Sequence, residues 1–145
     1  MAVFAATVAI SASFASAESI AIKEGFVFVA TTGSKSGAAY FAIQNSGESA
    51  DRLLSANSED ARAVEFHSHL VGADGIARME KIIGSIEVPP GIPRIFEQGS
   101  DHLMLMGLTR SFAHDDKIKI TLIFEHAGEI ALDLPVKLGR QPTKK

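Results

Sequence analysis

The chain has 145 residues, a net charge of −3 and 46% apolar residues, which fits one domain with one ordinary core. It has no stripe of lysine and arginine, so nucleic acid is not an expected partner. It contains no cysteine, which excludes disulfides, thiolate metal sites and thiol catalysis within this sequence.

The first seventeen residues, MAVFAATVAISASFASA, carry no charged side chain and end in Ala15-Ser16-Ala17. Small residues in this arrangement are typical of a signal-peptide cleavage site, and the stretch is short for a membrane span. We therefore expect residues 1–17 to be a signal peptide and the mature protein to begin at Glu18, without stable membrane insertion. A buried N-terminal helix is the alternative interpretation.

From Glu18 onward, short apolar stretches alternate with turn residues, and no segment shows a sustained helical period. Asp74-Gly75, inside the Gly72–Gly75 turn, is a strong hairpin signal. The expected strands before residue 100 are Phe26–Val29, Gly37–Asn45, Val64–Leu70, Ile76–Ile82, Ile86–Val88 and Ile92–Phe96.

The clearest strand pair lies near the end of the chain. Apolar residues alternate with mostly polar ones from Lys117 to Glu125 and again from Ile130 to Val136, with the loop His126–Glu129 between them. This pattern indicates a half-buried antiparallel hairpin. Eight to ten strands predict an all-β antiparallel β-sandwich over residues 18–138, followed by a short polar tail, 139–145.

Histidine and methionine are concentrated in one part of the sequence. In the stretch His102-Leu103-Met104-Leu105-Met106, strand geometry places His102, Met104 and Met106 on one face and the two leucines on the other, toward the core. A methionine on a strand is usually core filler, but a core would not need a histidine on the same face, nor His67 and Met79 opposite each other on the predicted hairpin. The candidate ligands are His67, His69, Met79, His102, Met104 and Met106.

The chemistry of these side chains indicates which metal they would hold. Thioethers favour Cu(I), whereas zinc prefers thiolate, imidazole and carboxylate. A blue-copper electron-transfer site requires a cysteine ligand, which this chain lacks. Imidazoles and thioethers without thiolate therefore favour Cu(I).

The spacing of these residues resembles the metal motif of the periplasmic copper chaperones of the PCu(A)C family, also known as DUF461. Eleven residues separate His67 from Met79 and twenty-two separate Met79 from His102-x-Met104, each one more than in the nominal motif. The resemblance covers about residues 20–137 and includes GAAYFAIQNSGESADRLLSANSEDARAVEFHSH, HLMLMGL and KIKITLIFEHAGEIALDLPV.

This resemblance implies a cupredoxin-like, immunoglobulin-like sandwich that carries one Cu(I) per chain in the periplasm. It implies that the ion is delivered to a copper-accepting protein, such as the copper site of cytochrome c oxidase or another assembly chaperone. The ligands that it implies are His67, Met79, His102 and Met104, whereas Met106 is not counted as one. No catalytic residue is implied.

Other interpretations remain open. His69 shares the strand face of His67 and is a candidate helper, especially for Cu(II). The tail GRQPTKK lacks histidine and methionine, which argues against a second ion there. The rival functions are a copper-dependent redox protein acting on a partner's metal site, and a secreted interaction domain with an incidental Met/His cluster.

Overall fold

The computed structural model describes residues 19–139, so the predicted signal peptide, 1–17, and the tail beyond residue 139 lie outside the described residues. We find no helix within residues 19–139 that is long and apolar enough to cross a bilayer. The described chain forms ten strands: β1 Ile20–Val29, β2 Ser36–Asn45, β3 Asp51–Asn57, β4 Ala61–Val71, β5 Ala77–Lys81, β6 Ile86–Val88, β7 Arg94–Phe96, β8 His102–Leu108, β9 Lys117–Phe124 and β10 Gly128–Leu138.

The strands follow one another in the order β5-β4-β8-β2-β1-β10-β9-β3-β6, and β7 pairs with β2 beside β8. Two sheets meet where β1 pairs with β10, and this is the one parallel pairing found in residues 19–139. The predicted all-β sandwich is confirmed, with a mixed sheet because of this pair.

One core lies between the two sheets and receives apolar side chains from both. In β9 the predicted alternation is observed, since Ile118, Ile120, Leu122 and Phe124 are at most 2% exposed and the residues between them are exposed or half-buried. The sheet that contains β8 contributes Leu103 and Leu105, which are fully buried. The expectation that these leucines face the core is confirmed.

Strand β3 is absent from the sequence-based expectations. Its sequence DRLLSAN has no clean alternation of apolar and polar residues, because two leucines are adjacent, although Leu53 is buried and Leu54 is 45% exposed. A bulge between Leu53 and Ser55 shifts its register against β9, and a bulge of this kind breaks the period of two. The strand is therefore not recognisable from the alternation of apolar and polar residues in the sequence.

Strands β4, β5 and β8 position the candidate ligands. β4 lies between β5 and β8, and β5 ends the sheet with every residue exposed. The turn between β4 and β5 is closed by hydrogen bonds from Gly72 N to Ile76 O (3.0 Å) and from Gly75 N to Gly72 O (2.9 Å). The hairpin carrying Met79 is thus an edge element of the sandwich.

Candidate metal centre

The four predicted ligands lie on the same face of the sheet, opposite the core. Residues that pair across neighbouring strands share a face, and Leu103 and Leu105, on the other face of β8, are fully buried. The register sets His67 opposite both His102 and Lys81, His69 opposite Met79, and Glu65 opposite Met104.

His67 and Met79 are in contact across the β4–β5 hairpin, with Nδ1 of His67 3.2 Å from Sδ of Met79. The sequence-based expectation that these two residues lie directly opposite each other is wrong, because Met79 pairs with His69. Diagonal neighbours on a sheet face are about 7–8 Å apart, within reach of long side chains. The methionine therefore reaches His67 along this diagonal.

His102 lies directly opposite His67, and their ring centroids are 5.9 Å apart. The side of His102 away from His67 is covered by Tyr40, whose ring centroid is 6.4 Å away, and the residue is only 5% exposed. Its Nδ1 lies 3.1 Å from the carbonyl oxygen of Ser100. His102 is thus held from two sides, with Nε2 left for another partner.

The start of β8 is tied to two other strands, which fixes the position of His102. Asp101 accepts a hydrogen bond of 2.7 Å from Ser68 Oγ on β4 and forms an ion pair with Arg94 on β7. The backbone of Asp101 also accepts a bond from Glu97 N (2.9 Å). Because Ser68 follows His67, this network links the backbones of the two histidines.

The two methionines of β8 differ in their distance from the histidine pair. Met104 is two residues from His102 on the same face, a spacing of about 6.5–7 Å between Cα atoms, and is half-buried. Met106 is two residues further on, opposite Ala63. The structure thus places Met104 beside the histidine pair and Met106 beyond it.

Glu65 and Lys81 are part of this face and were not among the predicted site residues. Glu65 Oε1 accepts a bond of 2.7 Å from Lys81 Nζ, and its Oε2 lies 3.1 Å from Nε2 of His67. The pKa of Glu65 lies below its usual 4.5, mainly because of the hydrogen bond from Lys81 and to a lesser extent because of the one from His67. The sequence signal that could have identified Glu65 is its spacing of two from His67, which sets both residues on one strand face.

The arrangement provides nitrogen and sulfur ligands more readily than oxygen ligands. Within residues 19–139, no three His, Asp or Glu side chains form a group suited to a metal ion, whereas the rings of His67 and His102 lie close together and a thioether contacts His67. Bonds of about 2.0 Å to nitrogen and about 2.3 Å to sulfur place two ligands of one ion about 3–4 Å apart. The 3.2 Å between His67 Nδ1 and Met79 Sδ fits that range.

A separate cleft of about 220 Å³ borders the far side of Tyr40. Its wall includes Phe26, Phe28 and Phe96 but no histidine or methionine. The cleft therefore offers no soft ligand, and the candidate ligands lie instead on the β5-β4-β8 face.

Comparison with known proteins gives two sequence matches. The family model described as "Putative lipoprotein LpqE-like" matches residues 20–136. The curated protein "Putative lipoprotein Lxx21020" of Leifsonia xyli subsp. xyli is 28% identical over 110 residues, which is 76% of this chain. The match spans 66% of that relative's own length, slightly less than two thirds.

Solved structures share the fold. The copper-bound PCuAC domain from PmoF2 is 25% identical, with a TM-score of 0.67 over 83% of this chain and 93% of that domain. DR1885 from Deinococcus radiodurans matches in its apo form (23% identity, TM-score 0.64, 97% and 96% of the two chains) and its Cu(I) form (22%, 0.58, 83% and 77%). The fold is thus the cupredoxin-like β-sandwich, and the chain belongs to the LpqE-like family of PCuAC-type domains.

Proposed function

We propose that this protein is a copper carrier that binds one Cu(I) through His67, Met79, His102 and Met104 and passes it to a partner protein. The observation that supports this most directly is the 3.2 Å approach of His67 Nδ1 to Met79 Sδ beside the paired ring of His102. The copper-bound domain from PmoF2, which is similar over 83% of this chain, adds support.

The ligand types favour Cu(I) as the cargo. Two imidazoles and two thioethers form a soft, uncharged set, and the chain has no cysteine to attract zinc. Zinc prefers thiolate, imidazole and carboxylate ligands, whereas thioethers favour Cu(I). Two thioethers stabilise the reduced ion selectively, and this argues against a redox cycle between Cu(I) and Cu(II) at the site.

The exposure of the site favours transfer of the ion. Met79 lies on the edge strand and is 51% exposed, whereas His102 is 5% exposed. A partner can therefore approach the methionine side first, while His102 holds the ion from within. Thiolates are softer and anionic, so an acceptor that offers them displaces thioethers stepwise. We propose as acceptor the copper site of cytochrome c oxidase or another assembly chaperone.

We place this activity outside the cytoplasm, in the periplasm. The uncharged stretch 1–17 has the pattern of an export signal, and the curated relative in Leifsonia xyli is named as a lipoprotein. A set of imidazoles and thioethers without thiols also suits an oxidising compartment, where free cysteines oxidise or pair.

Two experiments test this proposal. Native mass spectrometry of protein loaded with Cu(I) without oxygen should show one copper per chain, and competition with chelators should show much weaker zinc binding. Copper-loaded protein mixed with the soluble copper-binding domain of an oxidase subunit should lose copper to it. A chain with His102→Ala and Met104→Leu, matched for total copper, should transfer far less. A preference for zinc, or copper retained against every thiolate acceptor, would contradict the carrier role.

A further inference from the structure

The two histidines of the candidate site present different ring nitrogens to their surroundings. In His67, Nε2 faces Glu65 Oε2 at 3.1 Å and Nδ1 faces Met79 Sδ at 3.2 Å. In His102, Nδ1 faces the carbonyl oxygen of Ser100 at 3.1 Å. The nitrogen committed to an oxygen partner is therefore Nε2 in one ring and Nδ1 in the other.

These oxygen partners determine where each neutral ring carries its proton. A carboxylate and a carbonyl oxygen only accept hydrogen bonds, and a neutral imidazole has one N–H and one lone pair. The proton therefore lies on Nε2 in His67 and on Nδ1 in His102. The free lone pairs are on Nδ1 of His67, which faces Met79, and on Nε2 of His102.

Glu65 is itself held in place by Lys81. Lys81 Nζ occupies Oε1 at 2.7 Å, which leaves Oε2 for His67. Lys81 is also the cross-strand partner of His67, so the three side chains follow one another on the outward face of the β4–β5 hairpin. With both oxygens occupied and Cu(I) preferring softer ligands, Glu65 supports a ligand instead of acting as one.

We propose that Glu65, anchored by Lys81, is a positioning residue that directs copper to Nδ1 of His67, while the Ser100 carbonyl directs the same ion to Nε2 of His102. This inference rests on the proposed copper-carrier function. A carboxylate that accepts the second N–H of a ligand histidine fixes its tautomer and makes the ring a better donor. Loss of such a partner typically weakens metal binding by about 10–100-fold.

The first test uses the unaltered protein and needs no copper activity. Long-range ¹H–¹⁵N NMR at pH 8, without metal, should show the Nε2–H tautomer for His67 and the Nδ1–H tautomer for His102. Addition of Cu(I) without oxygen should then shift Nδ1 of His67 and Nε2 of His102. The Nδ1–H tautomer at His67, or a copper-induced shift at its Nε2, would overturn the assignment.

The second test compares substitutions on the same hairpin. Glu65→Leu removes the acceptor and should weaken Cu(I) binding by about 10–100-fold while one ion still binds per chain. Glu65→Gln keeps an acceptor oxygen and should restore part of that affinity. The matched control is Glu80→Leu, because Glu80 is exposed and lies one residue from Lys81, on the other strand face. The control should bind Cu(I) like the unaltered protein.

The outcomes separate this inference from the function on which it rests. If the unaltered protein binds no Cu(I), the proposed function fails, and the copper assignment fails with it. If the unaltered protein binds Cu(I) and Glu65→Leu binds equally well, only the positioning role of Glu65 is overturned. A thermal unfolding scan of each variant shows whether a lost affinity reflects a lost fold.

Discussion

The hairpins β9–β10 and β4–β5 are both antiparallel strand pairs joined by a short turn, but they differ in how far their side chains are buried in the core. In β9–β10, eight residue pairs follow one another, and four side chains of β9 are at most 2% exposed. In β4–β5, five pairs form, and every residue of β5 is exposed. Packing in the core therefore limits which residues β9 can contain. The exposed residues of β5 are not limited in this way and can include a candidate metal ligand on the outer face.

The turns of the two hairpins differ in the same way. Asp51 on β3 binds the β9–β10 turn from outside, accepting bonds of 2.9 Å from His126 N and from Ala127 N. The β4–β5 turn is held by its own Asp74, which accepts a bond from Ile76 N (3.0 Å). One turn is therefore part of the tertiary structure, and the other depends on local contacts.

If the β9–β10 hairpin contributes much of the packing in the core, truncation of its buried side chains should have the largest effect on stability. Leu122→Ala removes a fully buried side chain and should lower the free energy of unfolding by about 2–5 kcal/mol. Denaturant titration measures the loss. The folded fraction should still bind one Cu(I), since β9 lies in the other sheet; a selective loss of copper binding would contradict this separation of roles.

The next largest effect is expected at Asp51. Its burial raises the pKa, but hydrogen bonds from the backbone of His126, Ala127 and Arg52 outweigh that effect, and the net pKa lies below the usual 3.8. Asp51→Asn should cost about 1.5–3 kcal/mol at neutral pH, because one acceptor oxygen becomes an NH2 donor and the remaining bonds lose the charge that strengthens them. Urea unfolding at pH 7 measures the cost.

The same substitution has a defined pH dependence. A carboxylate whose pKa is lowered by folding contributes its full stability above its unfolded pKa and loses it as the pH falls through the native value. The gap in stability between the unaltered protein and Asp51→Asn should therefore be constant above about pH 5 and shrink below pH 3.8. Asp133→Asn, at an exposed position of β10, is the control and should show no such gap.

On the β5-β4-β8 face, substitutions of the candidate ligands should change copper affinity more than stability. Met104→Leu keeps the side-chain volume and should cost less than about 1.5 kcal/mol, but it removes a thioether and should weaken Cu(I) binding by at least about tenfold. Met106→Leu should leave copper binding unchanged, because Met106 lies beyond the histidine pair. If chelator competition found Met106→Leu to be the weaker binder of the two, Met104 would not be the ligand.

The smallest effect on folding is expected at Met79. Its side chain is 51% exposed on the edge strand, so Met79→Leu should change the unfolding free energy by less than about 0.5 kcal/mol. It should nevertheless weaken Cu(I) binding, because the sulfur beside His67 Nδ1 is removed. Calorimetric unfolding and chelator competition on the same sample test both statements, and a variant that kept full Cu(I) affinity would remove Met79 from the proposed ligand set.

The sequence predicts the sandwich and the inward and outward faces of its strands well where the period of two is unbroken. In β8, the alternation of leucine with histidine and methionine predicts both faces correctly. Strand β3 is missed because Leu53 and Leu54 are adjacent and a bulge lies between Leu53 and Ser55. The parallel pairing of β1 with β10 is missed because the alternation within a strand does not identify its neighbours.

For the proposed site, the sequence supplies the candidate residues but not the register that brings them together. The length of the turn at residues 72–76 sets Val71 opposite Ala77, and this places Met79 opposite His69 instead of His67. Only the tertiary structure reveals this diagonal. Glu65 is missed for another reason, because the sequence motif contains only the candidate ligands and not the side chains that hydrogen-bond to them.

The parallel pairing of β1 with β10 also bears on how the chain folds. Val27 pairs with Val136, so strands more than 100 residues apart in sequence lie side by side where the two sheets meet. Closing such a long loop costs conformational entropy before its contacts form, and chains dominated by distant pairings fold in milliseconds to seconds. The two sheets can therefore be joined only after β10 has been synthesised, and removal of β10 would leave β1 and β9 with open edges.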